Sequence, residues 1–308
     1  MRFDTLEQLA QLCDSEGVSI SRMMLAEQCA ESGRTPEQEF NQMAEYYQIM
    51  KTAVSEGLRK DHPSRSGLTG RDARQVHAYL QSGSALLGEP AAMAMAYALA
   101  VSEVNASMGR IVATPTAGSC GIIPGAFVSA QNRFSWTDEQ MTFGLFCAGA
   151  IGYVIANHSF VSGAEGGCQA EVGSAIAMAA GALVELRGGP PSQAVHAVGL
   201  ALKNTLGLIC DPVGGLVEIP CIVRNGFGAV NALAAADMAL AGVRSAIPSD
   251  EVVQTMRDVG SAMPEKFRET AQGGLAATPT GRAIKEALYR KSTAKDKDND
   301  KDRGMPYE

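Results

Sequence analysis

The sequence has little charge. Only 19% of its 308 residues are Asp, Glu, Lys or Arg, against about 25% in an average soluble domain. Hydrophobic residues make up 46%, so we expect much of the chain to be buried, in a core or against a partner. The charges present are acidic in balance, with a net charge of −7. Because nucleic-acid binding usually needs a basic face, we predict no nucleic-acid partner.

The sequence also predicts neither an export signal nor a membrane span. The first 15 residues, MRFDTLEQLAQLCDS, mix acids with apolar residues, unlike a signal peptide. The most apolar run, residues 141–157, is rich in Gly and Ala and is shorter than the roughly 20 residues that span a bilayer. We therefore predict a cytoplasmic protein without membrane contact, in which this run is a buried helix.

Helical signals dominate what is present. Thr35, Pro36 and Gln38 form a helix start, and the apolar residues that follow step by three or four positions towards Gly57. Strand patterns are scarce, so we expect an all-α fold of Ala- and Gly-rich helices, several of them buried on every side. Further helices are predicted from Asp4 to Gly17, from Thr137 through the apolar run, and over residues 72–82, 90–108, 171–186, 192–206, 229–244 and 250–262.

No linker or internal repeat divides the chain. Residues 1–290 are therefore predicted to form one helical domain. The last residues, 291–308, carry many charges and almost nothing apolar. A segment of that composition cannot bury enough apolar surface to fold, so we predict a disordered tail.

Long loops separate the predicted helices. They are rich in Gly, Pro and polar residues and exceed the usual length of about 2–8 residues for helix connections. Loops of this kind more often carry function than structure, and we expect these to converge on one site. The loops cover residues 62–70, 114–125, 157–171, 210–226 and 273–281.

The seven cysteines divide into two groups. Three of them, Cys13, Cys29 and Cys147, fall in helical patterns and are predicted to pack in the core. Four lie in separate Gly- and Pro-rich loops: Cys120, Cys168, Cys210 and Cys221. No C-x2-C pair occurs, which argues against structural zinc and against ferredoxin-type clusters. Three dispersed thiolates suit a [4Fe–4S] cluster held at three corners, although packed thiols remain an alternative at this point.

Four stretches carry a resemblance to a known family. TPTAGSCGIIPG, AEGGCQAEVGSA, CDPVGGLVEIPCIVRN and GGLAATPTG resemble the α chain of iron–sulfur-dependent L-serine dehydratases (L-serine ammonia-lyases). The resemblance extends to about residue 290. It implies that Cys168, Cys210 and Cys221 hold a [4Fe–4S] cluster, and their spacings of 42 and 11 residues match the family.

The resemblance also implies a reaction and a partner. L-serine would be deaminated to pyruvate and ammonia, with the open iron as Lewis acid for the leaving hydroxyl and without pyridoxal phosphate. The chain resembles the two-subunit form, so a separately encoded β subunit and a hetero-oligomer are expected. Some single-chain members end in a cysteine that caps the free iron, whereas this chain has none after Cys221.

Polar residues of the same loops are candidates for the remaining roles. Catalytic candidates are His158, His62 and Glu165, and Glu171 is a further acid beside Cys168; the β chain is another possible source of the base. Ser66 lies in a Ser- and Gly-rich turn suited to an anion. Substrate-binding candidates, each equally able to brace a loop, are Thr116, Ser119, Cys120, Ser66, Arg224 and Asn225.

The Gly166–Gly167 pair is expected to leave room for a cluster beside Cys168. Two other functions stay open: a non-catalytic cluster-binding or scaffold subunit, and a thiol enzyme with Cys120 as nucleophile. The second has no clear Cys–His–Asn arrangement to support it.

Overall fold

The structure, a computed structural model, is built from α-helices. It describes residues 1–83 and 85–302, with side chains up to residue 290. This part contains no β-strand, only an isolated parallel bridge between Cys210 and Arg268, so the predicted all-α class is confirmed. The helices are α1 (Leu6–Glu16), α2 (Ile20–Ser32), α3 (Pro36–Arg59), α4 (Asp72–Gln81), α5 (Glu89–Ala106), α6 (Ile122–Phe134), α7 (Asp138–His158), α8 (Gly163–Gly166), α9 (Cys168–Leu186), α10 (Pro191–Lys203), α11 (Cys221–Leu240), α12 (Ser249–Ala262) and α13 (Pro279–Asp302).

Capping side chains set several helix starts. The predicted capping boxes at Thr35 and Thr137 are both present, each satisfying backbone N–H groups that have no helical acceptor. The first helix differs from the prediction by one position. Its N-cap is Thr5 instead of Asp4, and Gln8 completes the box.

Two helices begin three or more residues earlier than predicted, and both begin at a cysteine. α9 starts at Cys168 instead of residue 171, and α11 starts at Cys221 instead of residue 229. Gly167 and Pro220 precede them and make no side-chain cap, so the usual start signal is absent. Two of the three predicted ligands are therefore the first residues of helices.

Helix α6 was missing from the predicted helices because Pro124 and Gly125 in its first turn resemble a loop. A proline is tolerated there, since first-turn N–H groups have no helical partner. Gly125 lets α6 approach α5 closely: a Cβ at this position would lie 2.7 Å from Ala94 O and 2.7 Å from Ala98 Cβ. Tertiary packing thus overrides the local signal.

The core is centred on α9. Every residue from Cys168 to Val184 is buried, and the helix packs against α6, α7, α10 and α11. α7 contains the apolar run predicted as a buried helix. By length and composition it could cross a membrane, but 61% of that window is buried inside the structure, where it packs against α2, α3 and α9. Cys13 and Cys147 are fully buried and Cys29 is half-buried, as expected for packed thiols.

The predicted tail, residues 291–308, is described only in part. Helix α13 runs to Asp302, and residues 303–308 lie outside the described residues, as do the side chains from 291 onwards. Disorder of residues 291–308, and the single domain over 1–290, stay predictions.

A buried carboxylate anchors the start of α4, immediately after the 62–70 loop. Asp72 N donates to Glu103 Oε1 at 2.6 Å, and Glu103 Oε2 has no hydrogen-bond partner among the residues that the structure describes. Burial raises the pKa of Glu103 from 4.5 to about 7. An acid whose pKa is raised on folding stabilises the fold fully below its unfolded pKa, and this contribution is lost as pH rises through the folded value.

Glu103→Gln is therefore expected to flatten the pH dependence of stability. Between about pH 4.5 and pH 7, the wild-type free energy of unfolding should lose on the order of 2 kcal/mol more than that of the variant. Urea unfolding at both pH values measures this difference. Equal pH slopes in the two proteins would contradict it.

Candidate metal centre

Two cysteines and a glutamate meet in the interior, and a third cysteine lies near them. The Sγ atoms of Cys168 and Cys210 and a carboxylate oxygen of Glu171 lie within 4.8 Å of one another. Cys221 is near enough for its charge to raise the pKa of Cys210. All three cysteines are at most 5% exposed. The structure thus brings two of the three predicted ligands, Cys168 and Cys210, together with a carboxylate, and places Cys221 within range of their charges.

Backbone pairing fixes Cys210. Its N–H donates to Phe267 O at 2.8 Å, and Glu269 N donates to Cys210 O at 2.9 Å. Gly163 then faces the thiol, since a Cβ on it would lie 2.8 Å from Cys210 Sγ. This glycine makes room for a candidate ligand.

The Gly166–Gly167 pair does not have the predicted role. Gly167 has φ +76°, and a Cβ on it would lie 2.7 Å from Met263 Sδ and 2.9 Å from Leu208 O. A Cβ on Gly166 would lie 2.9 Å from Phe160 Cδ2. The two glycines therefore accommodate neighbouring protein atoms, and the expectation that they leave space for a cluster was wrong.

The electrostatics favour one thiolate among the three cysteines. A hydrogen bond from Cys210 and the charge of Arg224 lower the pKa of Cys168, which also lies at a helix N-terminus, a place that stabilises thiolates. The same hydrogen bond raises the pKa of Cys210, and burial raises that of Cys221. Deprotonating all three would require a bound cation.

Arg224 ties the centre together. Its Nη1 donates to Cys168 Sγ at 3.2 Å and to Ile209 O at 2.9 Å, and its Nη2 forms an ion pair with Asp211 Oδ1 at 2.9 Å. Asp211 Oδ2 accepts a hydrogen bond from Leu275 N at 2.7 Å. The guanidinium is thus committed to protein groups, which favours a bracing role over the predicted contact with a substrate carboxylate.

Two hydroxyls of the turn before α6 bond protein groups. Thr116 Oγ1 donates to Glu171 Oε1, and Ser119 Oγ donates to Thr114 O at 2.9 Å. Cys120 is fully buried, and burial raises its pKa to about 12, which disfavours a nucleophilic thiol. Substrate binding by Thr116, Ser119 and Cys120 stays a prediction.

Asn225 joins this turn to α11. Its Oδ1 accepts from Gly121 N at 2.9 Å, while Nδ2 donates to Gly118 O at 2.7 Å and to Cys221 O at 2.9 Å. The buried amide uses both ends within the protein. The structure favours bracing over substrate binding for this residue.

The Ser- and Gly-rich turn does hold an anion, namely the protein's own Glu218. Ser66 N and Thr69 Oγ1 each donate to the Glu218 carboxylate at 3.3 Å, and Ser66 Oγ donates to it as well. Glu218 lies three residues before Cys221, and its carbonyl accepts from Ile222 N at 3.0 Å. The 62–70 loop is thereby fastened to the first turn of α11.

Glu218→Ala is expected to release this loop. Ser66 and Thr69 would lose their buried acceptor, a loss that typically costs about 1–3 kcal/mol. Hydrogen exchange in residues 62–70 should accelerate, and Ser66→Ala should produce a smaller change of the same kind. Unaltered exchange in Glu218→Ala would show that the carboxylate does not hold the loop.

The two candidate catalytic histidines have partners outside the centre. His62 uses both ring nitrogens, with Nδ1 3.2 Å from Ser107 Oγ and Nε2 2.9 Å from Glu56 O. His158 Nε2 lies 2.8 Å from Asp4 O, beside the start of α1. Both contacts are those of structural histidines, so the structure favours that interpretation over catalysis.

The carboxylates whose charges raise the pKa values of the three candidate ligand cysteines are Glu171 and Glu269. Glu165, the predicted acid, is exposed and accepts from Ser162 Oγ at 2.8 Å. Burial raises the pKa of Glu171, and the charge of Glu269 raises it further. Glu269 also raises the pKa of Cys210. Sequence reasoning missed Glu269 because no motif surrounds it.

Comparison with known proteins identifies the family. The family model described as serine dehydratase alpha chain matches residues 15–276. This chain belongs to that family. It is 49% identical over 287 residues to the "Probable L-serine dehydratase, alpha chain" of Bacillus subtilis (strain 168), covering 93% of this chain and 95% of that one. The resemblance inferred from the four sequence stretches is confirmed.

Relatives within the family differ in length. The "L-serine dehydratase, alpha chain" of Peptoniphilus asaccharolyticus is 42% identical over 287 residues, covering 93% of this chain and 98% of the relative. The "L-serine dehydratase" of Streptomyces coelicolor (strain ATCC BAA-471 / A3(2) / M145) is also 42% identical, over 281 residues and 89% of this chain. The match covers only 60% of that relative. Some members of the family therefore carry a large additional part in the same polypeptide.

Proposed function

We propose that this chain is the α subunit of an iron–sulfur-dependent L-serine dehydratase, which converts L-serine to pyruvate and ammonia without pyridoxal phosphate. Family membership and relatives named L-serine dehydratase support the reaction. The observation that carries the cofactor assignment is the buried group of Cys168, Cys210 and Glu171, with Cys221 nearby.

The donor set fits a [4Fe–4S] cluster. Soft thiolates are the ligands that iron–sulfur clusters take, and Cys168, Cys210 and Cys221 would supply three of them. Arg224 places a positive charge beside Cys168, which offsets the negative charge of such a group. When bound, the cluster would supply a Lewis-acidic iron for the hydroxyl that leaves serine.

Residues around the cysteines would position the substrate. Glu269 is an exposed carboxylate at this site, and we propose that it attracts the α-ammonium group of L-serine. Glu171 is held in place by the Thr116 hydroxyl and presents a buried carboxylate beside the same thiols. These two acids replace His158, His62 and Glu165 as the groups proposed to meet the substrate.

Glu269→Gln is expected to weaken substrate binding. Loss of one charge at an ammonium contact should raise KM for L-serine about tenfold, with a smaller change in kcat and with the iron content unchanged. Steady-state pyruvate formation measures both constants. Glu165→Gln is the matched control and should leave KM unchanged. An unchanged KM in Glu269→Gln would exclude this role.

We also propose that a separately encoded β subunit completes the enzyme. This chain matches almost the full length of two relatives that are named alpha chains. That name implies a second chain.

Anaerobic co-expression with a β-chain candidate, followed by assay of pyruvate from L-serine, tests the proposal. We expect a brown complex that forms pyruvate and loses activity in air. A colourless protein with stoichiometric zinc would refute the cofactor, and a cluster without pyruvate formation would favour the scaffold subunit.

A further inference from the structure

We propose that four exposed apolar side chains beside the cysteine site form the docking surface for the β subunit, which covers the site. We call this surface the apolar rim; it consists of Leu68, Val223, Phe227 and Leu275. The identity of the partner rests on the proposed function, whereas the surface itself rests on the exposure and connections of these four residues.

Two members of the rim are connected to Cys221. Val223 is 48% exposed and lies two residues after this cysteine in the first turn of α11. Leu68 is 50% exposed, and its N–H donates to Ser66 Oγ at 3.0 Å. Ser66 in turn bonds Glu218, three residues before Cys221. The 62–70 loop thus presents Leu68 beside the start of α11.

The other two members extend the rim along α11 and to Cys210. Phe227 is 62% exposed and lies four residues after Val223, so the two side chains share one helix face. Leu275 is 44% exposed, and its backbone N–H is held by Asp211, the residue after Cys210. Each of the four is therefore linked by sequence or by hydrogen bonds to the neighbourhood of a candidate ligand.

The surface beside Phe227 is concave. A cavity of about 450 Å³ opens between α9, α11 and the segment before Cys210, and Phe227 and Arg224 both line it. Arg224 contacts Cys168 Sγ, so this groove reaches a group that touches the centre. An exposed apolar residue such as Phe227 at a groove, with further exposed apolar residues on the same surface, is typical of an interaction site. A protein docked here would exclude water from the approach to the cysteines.

The β subunit is the occupant that the relatives favour. In the Streptomyces coelicolor relative, this chain matches only 60% of the polypeptide, so a large further part is covalently attached to the α region. A β subunit that corresponds to this part would contact the same region of the α chain. Four large apolar side chains suit the buried centre of an interface, where a few anchors supply most of the binding energy.

Charge substitutions on the rim test the proposal. Phe227→Asp and Leu275→Asp should each weaken binding of the purified β chain to the α chain at least about tenfold, since apolar anchors dominate interfaces. The matched control is Leu86→Asp, whose side chain is fully exposed and lies outside the rim; it should bind β like the wild type. Unchanged circular dichroism and iron content show that the variants fold.

Two outcomes would overturn the docking surface. In one, the rim variants bind β with wild-type affinity. In the other, they only abolish self-association of α, which would assign the rim to a second copy of this chain. Failure of the proposed function would be seen separately. A wild-type α–β complex that makes no pyruvate would refute the proposed enzymatic activity, and the binding measurements would still decide whether the rim is the docking surface.

Discussion

Serine substitution at Cys168, Cys210 or Cys221 is expected to abolish both the brown colour and the serine turnover of the anaerobically purified complex. A serine hydroxyl stays protonated at neutral pH and is a poor ligand for iron, whereas a thiolate is a good one. Losing one of three ligands should therefore release the cluster. Absorbance near 400 nm, iron content and pyruvate formation report the loss together.

Cys29→Ser is the matched control for these variants. Cys29 is a half-buried thiol near the end of α2, so its replacement tests general thiol loss with little disturbance of the core. It should keep colour and activity. The Cys221→Ser variant is the most informative, because the tight group contains Cys168, Cys210 and Glu171. A Cys221→Ser protein with full iron content would mean that Glu171 is the third ligand.

Arg224→Met is expected to lose the cluster and much of the stability. The change removes the contacts to Cys168 Sγ and Ile209 O and leaves the buried Asp211 without its ion-pair partner. Breaking a buried pair from one side typically costs about 3–5 kcal/mol. Iron content and urea unfolding measure the two effects.

A double variant separates the two effects of Arg224. Arg224→Met with Asp211→Asn removes the unpaired charge, so stability should recover in large part while iron retention should not. Arg224→Lys keeps a charge but loses the planar fork, and it should retain iron only in part. Full iron retention in the double variant would show that Arg224 does not support the centre.

The fold could be predicted in outline because its signals are local. Capping boxes at Thr35 and Thr137 and helical spacing of apolar residues identify most of the helices. The starts at Cys168 and Cys221 could not be found in this way, because each follows a Gly or Pro without a capping side chain. α6 was missed because Gly125 is explained by its close contact with the neighbouring helix α5, and sequence spacing does not encode that contact.

The site could be predicted only where residue chemistry is specific. Cysteine spacing and family resemblance selected three thiols, of which the structure places Cys168 and Cys210 in one close group. Sequence left bracing and substrate binding open for Arg224 and Asn225, because their partners, Asp211 and the turn before α6, are decided by tertiary structure. Glu269 was missed for the same reason: only the pairing of its backbone with Cys210 places it at the centre.

The most direct test of a cluster held by three cysteines is the Mössbauer spectrum of the ⁵⁷Fe-reconstituted α–β complex, with and without L-serine. Three cysteine ligands on a [4Fe–4S] cluster leave one iron in a different environment from the other three. We predict one distinct iron site whose signal alone shifts when L-serine is added. Four equivalent irons that do not respond to L-serine, or the absence of an iron–sulfur signal, would contradict the account.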